Sequence, residues 1–176
     1  FPEKVTQTKK IILRKRYWLY YALQFMSGAR RQIFVVFAGF LMVEKFEFTV
    51  AEISMLLIAN AAINVVFAPK IGRLIQRFGE RKSLIFEYIG LSLIFAGYAF
   101  VESSHFAVFL YIADHLFFSI AIALKTYFQK IADPADIASS SGVSFTINHI
   151  AAVFIPVAFG LVWLSSPSLV FLAGSG

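Results

Sequence analysis

The sequence predicts an all-α polytopic membrane protein, and three observations predict it. Hydrophobic residues make up 59% of the 176-residue chain and charged residues 15%, well under the roughly 25% of a soluble domain. The apolar residues gather into runs near the length, about 20 residues, that crosses a hydrocarbon layer of roughly 30 Å. None of these runs alternates with period two, so helices are the structure that satisfies their backbone inside a bilayer.

The elements follow in order. Residues 1–16 are rich in cations (Lys4, Lys9, Lys10, Arg14, Lys15, Arg16) and read as a cytoplasmic basic tail. A secretory signal does not fit, because the apolar run that follows is too long, is split by Arg30 and Arg31, and lacks a small-residue cleavage site. That first run, 17–43, holds the two arginines near its middle. Each charge at a helix centre costs on the order of 2.5–3.5 kcal/mol, so each needs a bundle interior, water or a partner. Adjacent helical residues point about 100° apart. Arg31 continues a polar stripe with Tyr20, Gln24 and Ser27 and is expected to face a cavity, while Arg30 is expected to find a partner elsewhere.

The second run, 51–68, carries Asn60 and Asn64 one turn apart. The third, 83–101, has Glu87 in its first turns, and the fourth, 106–128, is interrupted by Asp114 and His115. His115 shares a face with Tyr111 and Ser119, and Asp114 points in the neighbouring direction shared with Lys125. The fifth run, 137–164, has Ser141, Ser144 and Asn148 on one stripe with His149 beside it. Asp133 and Pro134 before it suit an N-cap and first-turn pair, and Pro156 within it is expected to bend the helix. A sixth run begins at Leu169 and is cut short at Gly176, so the chain reads as a fragment. The polar stripes of the second and fifth runs are expected to pack helices together or line a pathway.

The connectors sort by charge. Basic residues cluster before the first run and, as Lys70, Arg73, Arg77, Arg81 and Lys82, between the second and third, with Lys125 and Lys130 near the next connector on that side. The opposite connectors carry Glu44, Lys45, Glu47, Glu52 and Glu102, then only serines. The positive-inside rule makes the basic side cytoplasmic.

Residues 72–82 read GRLIQRFGERK, a basic connector in which Gly72 and Gly79 permit close approach or positive φ. Its basic side chains are suited to bond the last carbonyls of a helix. The string resembles the signature loop of the major facilitator superfamily, Gly-x-Leu-x-Asp-Arg-x-Gly-Arg-(Arg/Lys), through Gly72, Leu74, Arg77, Gly79 and Arg81. Gln76 replaces the family's acidic residue and Glu80 a basic one, and Glu87 is the expected substitute partner for Arg77 or Arg81. The resemblance covers nearly the whole chain. It implies helices seven to eleven and the start of twelve of a twelve-helix transporter, a truncated half-bundle whose partner is the N-terminal six-helix half of the same protein.

The resemblance also implies secondary active transport of a small solute by alternating access in a bacterial inner membrane, with proton coupling an expectation. The loop of Gly72, Leu74, Gln76, Arg77, Gly79 and Arg81 would gate the cytoplasmic side. The first and fourth helices of each half line the family's cavity, which makes Gln24, Arg30, Arg31, Tyr111, Asp114 and His115 the expected cavity residues and favours an anionic or polar solute. Asn60, Asn64, Ser144, Asn148 and His149 are the expected packing or pathway residues. A non-transporting receptor or assembly protein of the same architecture is the alternative. The chain has no cysteine, and Asp114, His115 and His149 lack the HExxH-type spacing of a metallohydrolase. No enzyme activity, metal, cofactor or nucleic-acid partner is therefore expected; the lipid bilayer is the other partner.

Overall fold

The computed structural model describes residues 13–176. The basic residues Lys4, Lys9 and Lys10 lie outside the described residues. Six helices follow one another with no strand among the described residues: α1 (Lys15–Phe46), α2 (Val50–Phe78), α3 (Glu80–Ala99), α4 (Ser104–Ile131), α5 (Pro134–Ser165) and α6 (Pro167–Ser175). The first five are long and apolar enough to cross a membrane.

Local chemistry sets the helix ends. Thr49 and Glu52 form a capping box that starts α2, the Thr49 side chain accepting from the Glu52 amide and the Glu52 carboxylate from the Thr49 amide at 2.8 Å; two otherwise orphaned donors are satisfied at once. Asp133 accepts from the Ala135 amide at 3.1 Å, and Pro134 opens the short 3-10 turn that leads into α5. α5 remains helical through Pro156 to Ser165.

The basic connector differs from the expected tight turn. α2 continues through residues 72–78 and ends only at Gly79, after which α3 begins at once with Glu80. Ile75 explains the extra helix, because it is buried against the aromatic cluster of the neighbouring helices. Gly79 adopts φ 81° and ψ 160°, a conformation open to glycine and strongly strained for other residues. Gly72 has no such role, since a Cβ there would meet nothing within 4 Å.

Two helices depart from α-geometry at mid-span. In α1 the segment Ile33–Ala38 winds as a π-helix directly after the two arginines. In α4, Ser119–Ala121 form a 3-10 turn. Such irregularities aim side chains away from the directions an ideal helix would give.

The core has two clusters. One joins α1, α3, α4 and α6 around Phe37, Met42, Phe95, Tyr98 and Phe171. The other, at the opposite end, joins α1, α4 and α5 around Tyr17, Tyr20, Phe128 and Val143, with Tyr20 stacked on Phe128 at 4.0 Å between centroids. α1 lies along α5 and α3 along α6. Close approach depends on small residues: a Cβ on Gly28 would stand 2.6 Å from the Asn148 side-chain oxygen, and one on Gly90 would enter the Phe117 ring. α2 and α5 bury little of themselves, 6% of their apolar windows against 39–44% for the other three spans, so most of their surface is left for lipid or another protein element.

Candidate functional site

The two arginines of α1 go to different places, as their angular separation requires. Arg31 is exposed within the chain and lines a cavity of about 410 Å³ between α1, α4 and α5. Tyr20, Gln24 and Ser27 lie on the same wall, and α5 contributes Ser141, Ser144 and Asn148. Ser144 and Tyr20 are tied to each other, their side-chain oxygens 2.8 Å apart. α4 adds Lys125, and among the described residues no carboxylate lines the cavity.

Arg30 faces the opposite way, into the bundle, where it is 6% exposed. Its guanidinium lies 4.6 Å from the centre of the Tyr88 ring and its Nη2 donates to Ser92 Oγ at 3.5 Å. Glu87 of α3 and Asp114 of α4 are 3% and 2% exposed and lie within electrostatic range of it. Neither reaches ion-pair distance: among the described residues the ion pairs are Arg14–Asp136 and Glu80–Lys130. Arg30 Nη1, Glu87 Oε2, Asp114 Oδ1 and the Tyr98 hydroxyl have no hydrogen-bond partner among the described residues. One cationic side chain and two carboxyl groups are thus buried together without saturated hydrogen bonding, an arrangement that is costly unless the charges are paired or neutralised by protons.

Several expectations are corrected by this arrangement. Asp114 and Tyr111 do not line the cavity. Tyr111 is buried against Phe34, with ring centroids 4.8 Å apart. Asp114 and Lys125 do not share a face, because the 3-10 turn at Ser119–Ala121 advances each residue by about 120° instead of 100° and rotates the second half of α4 by roughly 60°. Glu87 is no partner of the basic loop; it points into the bundle toward Arg30. Arg77, Arg81 and Lys82 make no hydrogen bond to helix-end carbonyls among the described residues, and the Ile75 carbonyl is taken by the Gly79 amide at 2.8 Å. Gln76 is exposed and Leu74 half-buried on the last turns of α2.

The remaining residues sort by position. His115 is half-buried behind the cavity, 5.5 Å from the Phe34 ring centroid and within electrostatic range of Arg31. Asn64 accepts from Ser119 at 2.5 Å and so joins α2 to α4. Asn60 is 1% exposed, and neither end of its amide has a partner among the described residues. His149 stays on the outer surface of α5, its Nδ1 2.9 Å from the Phe145 carbonyl oxygen. Asp114, His115 and His149 therefore do not converge, and no group of three His, Asp or Glu side chains suited to a metal occurs among the described residues. The cavity residue that sequence reasoning missed is Lys125. Its signal was present as a cation at the end of an apolar run, but an ideal helical wheel assigns it to the face of Asp114.

Comparison with curated proteins and with solved structures finds no match. The family model described as Major Facilitator Superfamily matches residues 2–174, nearly the whole chain and all six helices, and on this evidence the chain belongs to the Major Facilitator Superfamily.

Proposed function

We propose that this chain is the C-terminal half of a secondary transporter that moves a small polar or anionic solute by alternating access. The observation that carries the proposal is the cavity itself: Arg31, near the middle of the long apolar helix α1, stands on a wall that offers neutral hydrogen-bonding side chains, with no carboxylate among the described residues to neutralise it. A cation held there is costly unless a ligand or water uses it. The chain's membership of a family of membrane transporters supports the reading, with the two halves rocking about a site near the membrane midplane.

The N-terminal half supplies the opposite wall of the cavity. Its docking surfaces are the little-buried faces of α2 and α5. The basic side, from residues 72–82, faces the cytoplasm of a bacterial inner membrane, and the α2–α3 junction at Gly79 acts in gating there. Asp114 carries the coupling proton from behind the cavity: with Glu87 also ionised, the two carboxylates outnumber Arg30 by one negative charge, which one proton neutralises. His115, next to Asp114 on α4 and within electrostatic range of Arg31 on α1, tunes the two sites toward each other.

The test is flux. The full-length protein is reconstituted in liposomes and challenged with labelled anionic and neutral solutes under an imposed pH gradient. Arg31→Gln is expected to lower uptake at least tenfold, the equivalent of about 1.4 kcal/mol of lost solute interaction. Asp114→Asn is expected to leave downhill exchange intact and abolish accumulation against a gradient. Unchanged transport in both variants removes both residues from the mechanism.

A further inference from the structure

The cavity has a cation at each end. Arg31 lies at one end and Tyr20 at the other, about 16 Å apart by helix rise along α1. On α4, His115 is within electrostatic range of Arg31, and Lys125 lies about 15 Å further along by the same rise. Phe128, one turn beyond Lys125, stacks on Tyr20, which places Lys125 at the Tyr20 end. Both cations line the same space. Neither takes part in an ion pair or hydrogen bond among the described residues.

Between them the polar lining is neutral, and part of it is without a protein partner among the described residues. Gln24, Ser27 and Asn148 face the cavity, and their side chains hold no hydrogen bond among the described residues. The carboxylates that could have neutralised the cations are used elsewhere. Asp136 is bound by Arg14 and Glu80 by Lys130, and Glu87 and Asp114 are buried behind the cavity around Arg30.

We infer that the cavity takes a solute carrying two anionic groups joined by a short spacer, one group on Arg31 and the other on Lys125, with Gln24, Ser27 and Asn148 hydrogen-bonding its middle. The inference rests on the cavity being the solute site. Single charged contacts of this kind are worth about 1.5–3 kcal/mol. Arg31 and Lys125 reach toward each other along flexible stems, so anionic groups well short of 15 Å apart engage both.

Equilibrium binding to the purified full-length protein tests it, with α,ω-dicarboxylates from succinate to sebacate as probes and the monoanion octanoate matched in chain length to suberate. The best dicarboxylate is expected to bind at least tenfold tighter than octanoate. Lys125→Gln is expected to erase that preference while unfolding at the same temperature as the parent, which shows that the variant is folded; Lys125→Arg should retain the preference. Arg31→Gln is expected to weaken both probes. Octanoate binding as tightly as every dicarboxylate, a preference that survives Lys125→Gln, or no binding across the series overturns the inference. The outcomes separate it from the transport reading. Dicarboxylate binding without uptake into liposomes sinks transport and leaves the dianion site, whereas uptake confined to monoanionic or neutral solutes sinks the dianion site and leaves transport.

Discussion

Arg30 and Arg31 are adjacent in sequence and opposite in energetic role. Arg31 faces open space, so its removal changes little that the fold depends on, and substitutions at such positions usually fall within about 0.5 kcal/mol. Arg30 is 6% exposed and is the cation nearest two buried carboxylates. Taking away one partner of a buried charge group commonly costs about 3–5 kcal/mol, because the charge left behind is uncompensated. Arg30→Gln should therefore lower unfolding stability of the full-length protein in mixed micelles by an amount in that range, with part recovered by Glu87→Gln in the same molecule. Arg31→Gln should unfold like the parent yet fail in uptake. Equal stability of the two arginine variants would show that Arg30, Glu87 and Asp114 do not act as a group. The separation of the two arginines was legible from the 100° step of an α-helix. The depth of Glu87 was not, because one acidic residue near the start of an apolar run is as compatible with the headgroup level as with the bundle interior.

Among the elements, the ones that could be read were those marked by local chemistry. Asp133 and Pro134 announce the start of α5, and the long apolar runs announce the helices. The 3-10 turn at Ser119–Ala121 and the π-helix at Ile33–Ala38 carry no proline or glycine that would betray them, so a regular wheel placed Lys125 with Asp114 and lost half of the cavity's charge. The end of α2 was misread for a related reason: basic residues look like a loop, while the buried Ile75 holds them in helix. A clasp between distant elements was also invisible to local reading. Asp136, fully buried, accepts from Arg14 Nη2 at 2.9 Å and from the Tyr17 hydroxyl at 3.0 Å, and the Asp133 amide donates to the Tyr17 oxygen at 3.0 Å. These bonds tie the start of α1 to the start of α5. Asp136→Ala should free the segment around Arg14, Lys15 and Arg16, and limited trypsin digestion should cut it severalfold faster, since cleavage follows the population of the open form. Tyr17→Phe should fall between the variant and the parent. Digestion rates that stay the same in Asp136→Ala would mean the clasp does not hold the segment.

At the scale of the whole molecule, the distribution of burial suggests how the chain is used. α3 packs against α4 and α6, and α1 lies along one side of α5, while α2 and the rest of α5 offer broad apolar surfaces that no other helix covers among the described residues. The cavity lies beside α5, where Ser141 and Asn148 line it. Water should therefore reach those positions and not the apolar surface around Val65 or Val153, both well exposed within the chain and suited to lipid or to another protein element. The chain contains no cysteine, so single cysteines introduced into an otherwise cysteine-free full-length protein report on this directly. A water-soluble maleimide reacts with the thiolate, which forms readily in water and poorly in an apolar medium. Ser27→Cys and Asn148→Cys should label in membrane vesicles and should be protected by a bound solute, whereas Val65→Cys and Val153→Cys should stay unlabelled until detergent and denaturant are added. Alternating access adds a directional requirement: the side from which Ser27→Cys reacts should change when solute shifts the balance of inward and outward states, because a ligand moves such an equilibrium only through its differential affinity for the two. Labelling of Ser27→Cys from both sides at once would describe an open channel, and labelling from neither would show that the polar wall is sealed by the partner half and carries no solute.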